Sequence, residues 1–491
     1  MGGRGDPTGV CNGKGFNMID LRNAEFKRLF SQTLYKNRKL RLAEMSFFKD
    51  FVTDTRGDLY PILAKSDGAE EAVRENRYLL LHGAVRRFFC RFFPYATYEI
   101  TAFPKTGRVG LRFAIPAGEG EVLMTGDRLI CRCDGTETVH VLPEQDTDRR
   151  TMIVSCRPGA FDVYFPKNGQ PMYFCTVPSE AFLMSDRYTE FANGSVSLVV
   201  EGCVTVEAVF AYIDSGVSIA DMRPIRYENG EIMIEQGRVF LTASIRMQSE
   251  KFQGVFSWIP GTAELALTGV LLYDNGDGRW CGDVAASVLY HRETRSWYLW
   301  VCAFSHGHVL GHAAFRGDPR FGVNVIDITL MERGAETDGI TAFCGFAGDE
   351  DPDFFFDEEK DVWRMAICRL DPRTKKYRYV FFESAEPFSG YRCVGIGNEG
   401  AETGGSFVRV DGELFFLCGN DFKARSDYRI YHKDGMTKAH FDLPDGGFRG
   451  WGTLMPIPSG SRMRYYWMTF DRHKGSDYNW SYGNLYCFEW L

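Results

Sequence analysis

Residues 401–419 read Ala401-Glu-Thr-Gly-Gly-Ser-Phe-Val-Arg-Val-Asp-Gly-Glu-Leu-Phe-Phe-Leu-Cys-Gly419. A carboxylate and a glycine pair lead into an alternating strand. Asp411-Gly412 then offers the dihedrals of a tight turn, and an aromatic strand returns. The same order recurs along the C-terminal half. Val239-Phe-Leu-Thr-Ala-Ser follows Gly230-Glu-Ile-Met-Ile-Glu, and Ser296-Trp-Tyr-Leu-Trp-Val follows Asp283-Val-Ala-Ala-Ser-Val-Leu-Tyr. Val362-Trp-Arg-Met-Ala-Ile-Cys follows Asp353-Phe-Phe-Phe-Asp, and Arg464-Tyr-Tyr-Trp-Met-Thr-Phe follows Gly452-Thr-Leu-Met-Pro-Ile. Five such units from Val217 onward, each of roughly 45 to 70 residues, predict a five-bladed β-propeller.

Acidic residues stand where the first strand of a unit begins: Asp221 in Ala-Asp-Met-Arg-Pro, Asp283 in Trp-Cys-Gly-Asp-Val, Asp351 and Asp353 in Glu-Asp-Pro-Asp-Phe, and Glu402. First strands of propeller blades surround the axis, so these carboxylates are expected to converge on one funnel. Two or three carboxylates around a sugar-sized cavity can carry out glycoside hydrolysis.

Upstream, short alternating strands such as Tyr98-Glu-Ile-Thr-Ala-Phe, Val109-Gly-Leu-Arg-Phe-Ala-Ile and Thr151-Met-Ile-Val-Ser-Cys predict an antiparallel β-sandwich. Before it, Leu21, Phe26, Leu29, Phe30 and Leu34 recur at helical spacing, and Leu40, Leu42, Met45, Phe48 and Phe51 suggest a second short helix. The expected organisation is an all-β protein with a tail and helical segment over 1–75, a sandwich over 76–215 and a propeller over 216–491.

With 44% apolar and 25% charged residues the chain has the composition of a globular protein. A formal net charge of −8 offers no basic field for a phosphate backbone, so nucleic acid is not expected as a partner. No long apolar run suggests a membrane span, and the N-terminus has no signal-like apolar region, so a cytoplasmic location is expected. The 14 cysteines are scattered through strands without a compact framework, which fits free thiols in a reducing compartment.

Three stretches resemble glycoside hydrolase family 43 and its relatives, families 32, 62, 68 and 117. Gly278-Arg-Trp-Cys-Gly-Asp-Val with the later Trp-Tyr-Leu-Trp is similar to the family's Trp-Ala-Pro-Asp/Glu-Val and Tyr-Tyr-Leu-Tyr. Asp351-Pro-Asp-Phe-Phe-Phe-Asp-Glu-Glu is similar to Asp-Pro-x-x-Phe-Phe-Asp-Asp, and Ala401-Glu-Thr-Gly-Gly to the Glu-Gly-Pro strand. The resemblance spans residues 217–491 and implies a hydrolase with Asp221 as general base, Asp351 as the group that tunes and orients the acid, and Glu402 as general acid. It implies an exo-acting, inverting enzyme on a furanoside, such as an arabinofuranoside or fructofuranoside, needing no cofactor. Blade one reads Asp-Met-Arg-Pro rather than Asp-Pro, so Asp283 stays open as the base. Asp353 competes with Asp351, and Glu399 with Glu402. Separately, Phe161-Asp-Val-Tyr-Phe-Pro-Lys-Asn-Gly-Gln resembles a hairpin of laminin-G and concanavalin-like sandwiches.

Arg223, Trp280, His306, Arg449 and Trp451 are expected at sugar subsites, because guanidinium forks and indole faces suit hydroxyls and ring faces. Ser305-His306-Gly-His308 with His312 lacks partner pairs at metal-finger spacing and reads as pocket-lining rather than metal-binding. Asp274-Asn-Gly-Asp-Gly lacks the closing Glu of a calcium loop and reads as a turn. The expected partner is an oligosaccharide, with self-association left open. A retaining fructan-type hydrolase, a glycan phosphorylase and a non-catalytic sugar- or protein-binding propeller are the alternatives.

Overall fold

The computed structural model describes residues 25–32, 39–41, 71–75, 78–104, 106–144, 147–167, 169–214, 218–246, 251–331, 347–397, 401–420, 428–439, 441, 452–470 and 485–490. These residues are almost entirely strands. Helix is confined to short turns, among them Tyr188–Phe191 and the 3-10 turn Phe304–His306. Among the described residues no helix is long and apolar enough to cross a membrane, and every cysteine is a free thiol.

Two antiparallel sheets occupy the N-terminal half. A six-stranded sheet carries Arg108–Ile115 and Ser195–Glu201 at its centre, and an eight-stranded sheet carries Arg150–Arg157, Thr97–Phe103 and Val204–Asp214. Alternation puts Val109, Leu111 and Phe113 on one face of the first sheet and Tyr98, Ile100, Met152 and Val154 on one face of the second; all are buried in a shared core. Phe113 stacks on Phe161 at 4.7 Å between centroids and meets Tyr98 edge-on at 5.4 Å.

Five further sheets follow. Their leading strands are Ser218–Pro224, Val284–His291, Ala347–Asp357, Glu402–Val410 and Thr453–Ser459. Each sheet packs on the next through its own apolar set. Phe240 and Val255 meet Ala286 and Leu299, and Leu289 and Trp300 meet Phe354 and Trp363. Phe355 and Tyr379 meet Phe407 and Phe416, and Val408 and Leu417 meet Leu454 and Trp467. The fifth sheet returns to the first, where Tyr466 meets Trp258 edge-on at 5.3 Å. Two parallel pairings tie the first two sheets together: Arg226–Tyr227 adds to Val284–His291, and Gly322–Asp327 adds to Leu265–Asp274.

The N-terminal segment departs from the expected helix. Phe26–Gln32 is a strand, paired antiparallel to Leu485–Trp490 on the edge of the fifth sheet. A register break between Arg28 and Phe30 inserts Leu29 as an extra residue, which lets an i, i+3, i+4 spacing fit a bulged strand. Aromatic contact outweighs helix periodicity here: Phe26 lies 5.1 Å from Phe441 and 5.5 Å from Trp467. In the second expected helix, Leu40 belongs to the short strand Lys39–Arg41, which pairs with Val204–Asp214. Leu21, Leu34, Leu42, Met45, Phe48 and Phe51 lie outside the described residues.

Candidate active site

Four consecutive leading strands break register at one matching point. The breaks fall between Ala220 and Arg223, Val284 and Ser287, Glu350 and Asp353, and Thr403 and Gly405. At each break one residue adopts a left-handed backbone: Asp221 (φ 55°), Ala285 (φ 60°), Asp351 (φ 50°) and Gly404 (φ 52°). For residues other than glycine this costs roughly 1–2 kcal/mol, and aspartate tolerates it better than most. Such bulges re-aim a side chain out of the strand's alternation. Here they turn out carboxylates from the first and third sheets, while the second and fourth supply only Ala285 and Gly404.

The two re-aimed carboxylates are electrostatically coupled, because the charge of Asp221 acts on Asp351. Asp351 is buried, and its Oδ2 accepts hydrogen bonds from the Gly404 N–H (2.9 Å) and the Thr403 hydroxyl (3.1 Å). Burial, then the charge of Asp221, then that of Glu350 push its pKa up to about 8; the Gly404 N–H and Arg223 oppose this only in part. Asp221 is half-buried and accepts a 2.5 Å hydrogen bond from Ser244 Oγ, which in turn accepts the Ala285 N–H at 3.2 Å. The arrangement holds one carboxyl protonated near neutral pH beside another carboxylate, the division of labour that acid–base catalysis needs.

Sequence reasoning overlooked one neighbour of this pair, Glu350, whose charge acts on Asp351. Glu350, half-buried, accepts a 2.8 Å hydrogen bond from the Tyr377 hydroxyl and lies 2.9 Å from His308 Nε2. Glu350 stands directly before Asp351 in the quoted motif, and that adjacency was the available signal.

Other expected site residues lie elsewhere. Arg223 is buried, 1% exposed, and donates to the Pro352 and Gly405 carbonyls, the latter at 2.8 Å. It is therefore not available at a sugar subsite. Asp353, with no exposure, pairs with Arg223 and Arg226 and accepts from Ser287 Oγ (3.1 Å) and the Phe407 N–H (2.6 Å). It neutralises two guanidinium groups in a shaft among the first four of these sheets, and so does not replace Asp351 as the partner of Asp221. Beyond Arg226 a cavity of about 430 Å³ opens, lined mainly by Ile232, Ile234, Pro456 and Met463. Asp221 and Asp351 are not among its lining residues, so this cavity is not the place where the chemistry gathers.

Glu402 is fully buried, and its carboxylate is held by groups of the third and fourth sheets. It accepts the Tyr379 N–H (2.8 Å) and the Tyr431 hydroxyl, with Arg429 at 3.6 Å. Burial raises its pKa, opposed by the Tyr431 hydroxyl, the Tyr379 N–H and Arg429. Strand alternation explains the direction: Thr403 faces Asp351, so Glu402 faces the seam between the third and fourth sheets. Trp280, expected on a sugar face, packs instead on Phe191 at 4.6 Å and Tyr188 at 5.5 Å. Asp283 is fully buried; its Oδ1 accepts the Ser305 N–H at 2.9 Å, and its Oδ2 lies 3.7 Å from His306 Nδ1. Asp283 raises the His306 pKa. Glu399, Arg449 and Trp451 lie outside the described residues.

No protein-family model matches the chain, and no curated protein matches it. Among solved structures it is similar to an endo-1,4-beta-xylanase from Bacteroides thetaiotaomicron, at 11% identity over 55% of this chain and 90% of that one, with a TM-score of 0.37. It is also similar to Bacillus subtilis levansucrase, at 10% identity over 56% and 86% of the two chains and a TM-score of 0.40. The catalytic domain of a Coprinopsis cinerea GH62 alpha-L-arabinofuranosidase aligns at 13% identity over 55% and 90%, with a TM-score of 0.35.

Proposed function

We propose that the chain is a glycoside hydrolase acting through Asp221 and Asp351. The five C-terminal sheets are read as blades of a propeller, the fifth completed by Phe26–Gln32, and the two N-terminal sheets as an accessory sandwich. The observation that carries the reading is a coupled pair: two carboxylates on matching left-handed bulges, with burial and the charge of Asp221 pushing the pKa of Asp351 up to about 8.

In this reading Asp351 gives its proton to the leaving glycosidic oxygen. Asp221, oriented by Ser244, takes a proton from the water that attacks the anomeric carbon. The acid role implied for Glu402 by the motif resemblance moves to Asp351, because the Glu402 carboxylate is enclosed by Tyr379, Tyr431 and Arg429. The motif resemblance in turn favours an arabinofuranoside or fructofuranoside cleaved from a chain end with inversion.

A panel of aryl furanosides and pyranosides, assayed with Asp221→Asn, Asp351→Asn and Glu402→Gln, tests this. The expected result is loss of turnover in both aspartate variants, with Glu402→Gln losing stability rather than turnover. Abolished turnover in a folded Glu402→Gln protein would return the acid role to Glu402. The anomer first released, read by NMR, decides inversion.

A further inference from the structure

Cys281 and Asp283 lie on the lead-in to the strand Val284–His291, and His306 ends the 3-10 turn that follows the strand Ser296–Ala303. The pairing of Val284 with Cys302 sets these two segments side by side. The Cys281 sulfur, an Asp283 carboxylate oxygen and a His306 ring nitrogen all lie within 4.8 Å of one another. Within this cluster, the buried Asp283 Oδ2 and His306 Nδ1 have no hydrogen-bond partner, and they face each other at 3.7 Å. That gap is too long for a hydrogen bond. It is close to the roughly 3.3–3.6 Å that separates two ligands of one tetrahedral ion with bonds of about 2.0–2.3 Å.

We propose that Cys281 Sγ, Asp283 Oδ2 and His306 Nδ1 form a site for a zinc-like transition-metal dication. A thiolate beside an imidazole selects such an ion over calcium or magnesium, which prefer oxygen ligands. With three protein ligands, a fourth position is left for water. The ion satisfies both unpartnered polar atoms at once. Binding displaces the Cys281 thiol proton, which burial and then the charges of Asp283 and Asp186 hold well above the usual thiol range, so affinity rises with pH. The site also anchors the approach to Ala285, whose N–H orients Ser244 and through it Asp221. The proposal is independent of the hydrolase reading.

A second soft-ligand triplet, Cys131, His140 and Cys175, sits in the N-terminal sheets. The test therefore uses the full chain with Cys131→Ser and Cys175→Ser as background. Cobalt(II) is titrated into chelator-treated protein while the thiolate-to-cobalt absorption is followed. One equivalent is expected. It should bind at least about tenfold more weakly after Asp283→Asn or His306→Gln, and lose the charge-transfer band after Cys281→Ser. Zinc should raise the Tm of the background protein and leave that of His306→Gln unchanged. If the background variant does not fold, the original chain should bind one equivalent more than its His306→Gln variant. Absence of cobalt uptake, or uptake unchanged by both His306→Gln and Cys281→Ser, overturns the site in favour of a plain Asp283–His306 ion pair.

Discussion

Asp351 and Asp353 stand two residues apart on one strand, yet their surroundings differ in kind. Asp353 lies in the shaft with two guanidinium groups, a hydroxyl and a backbone N–H around it. Asp351 sits on the bulge, under the charge of Asp221, with one N–H and one hydroxyl bonded to its Oδ2. The contrast teaches that a buried carboxylate's role follows from the sign of its neighbours. Arginines make Asp353 a structural tie, and a second carboxylate makes Asp351 a proton store.

The largest effect is expected from removing the tie. Asp353→Ala leaves Arg223 and Arg226 buried without their counter-charge, and breaking such a pair costs about 3–5 kcal/mol; urea unfolding should show it. An equal stability loss in Asp351→Ala would erase the distinction between the two positions. Asp351→Asn should instead leave stability at neutral pH no lower than that of the parent while lowering turnover by roughly 10²–10⁴-fold, the range of general acid–base catalysis. Ser244→Ala removes the hydrogen bond to Asp221 and leaves the buried Ala285 N–H without its acceptor, so it should lower turnover and cost about 1–3 kcal/mol of stability.

A pH slope is expected as well. The folded-state pKa of Asp351, about 8, lies above its ordinary 3.8, so between those values the folded chain holds a proton that the unfolded chain has lost. This contribution to stability therefore falls as pH rises through that window, and levels off above about 8. Denaturation at several pH values should show the slope in the parent and its loss in Asp351→Asn.

The sequence disclosed much of this architecture, because strand–turn–strand units leave a strong period-2 signature with glycine at the turns. It also pointed to Asp221 and Asp351 as carboxylates at strand starts. What it hid depends on parity and on long-range partners. A one-residue bulge decides which neighbour of a pair faces the site, so Glu402 looked as well placed as Thr403 until the register was known. Arg223 resembled a sugar fork because the carbonyls it meets, on Pro352 and Gly405, lie far along the chain. Phe26, Leu29 and Phe30 fit helix periodicity, and only the C-terminal aromatic cluster, with Trp467 and Trp490, makes them a strand. Cys281, Asp283 and His306 come together through the pairing of two strands, which no local motif reports.

The pairing of Phe26 with Trp490 also sets a schedule for biosynthesis. Phe26–Gln32 must wait for Leu485–Trp490, made much later in synthesis, before the fifth sheet gains its edge. Contacts this distant in sequence slow folding. Until the two strands meet, Leu485–Trp490 has an open edge that another chain could join. Chaperone demand and aggregation during expression should therefore track that seam more than the candidate active site.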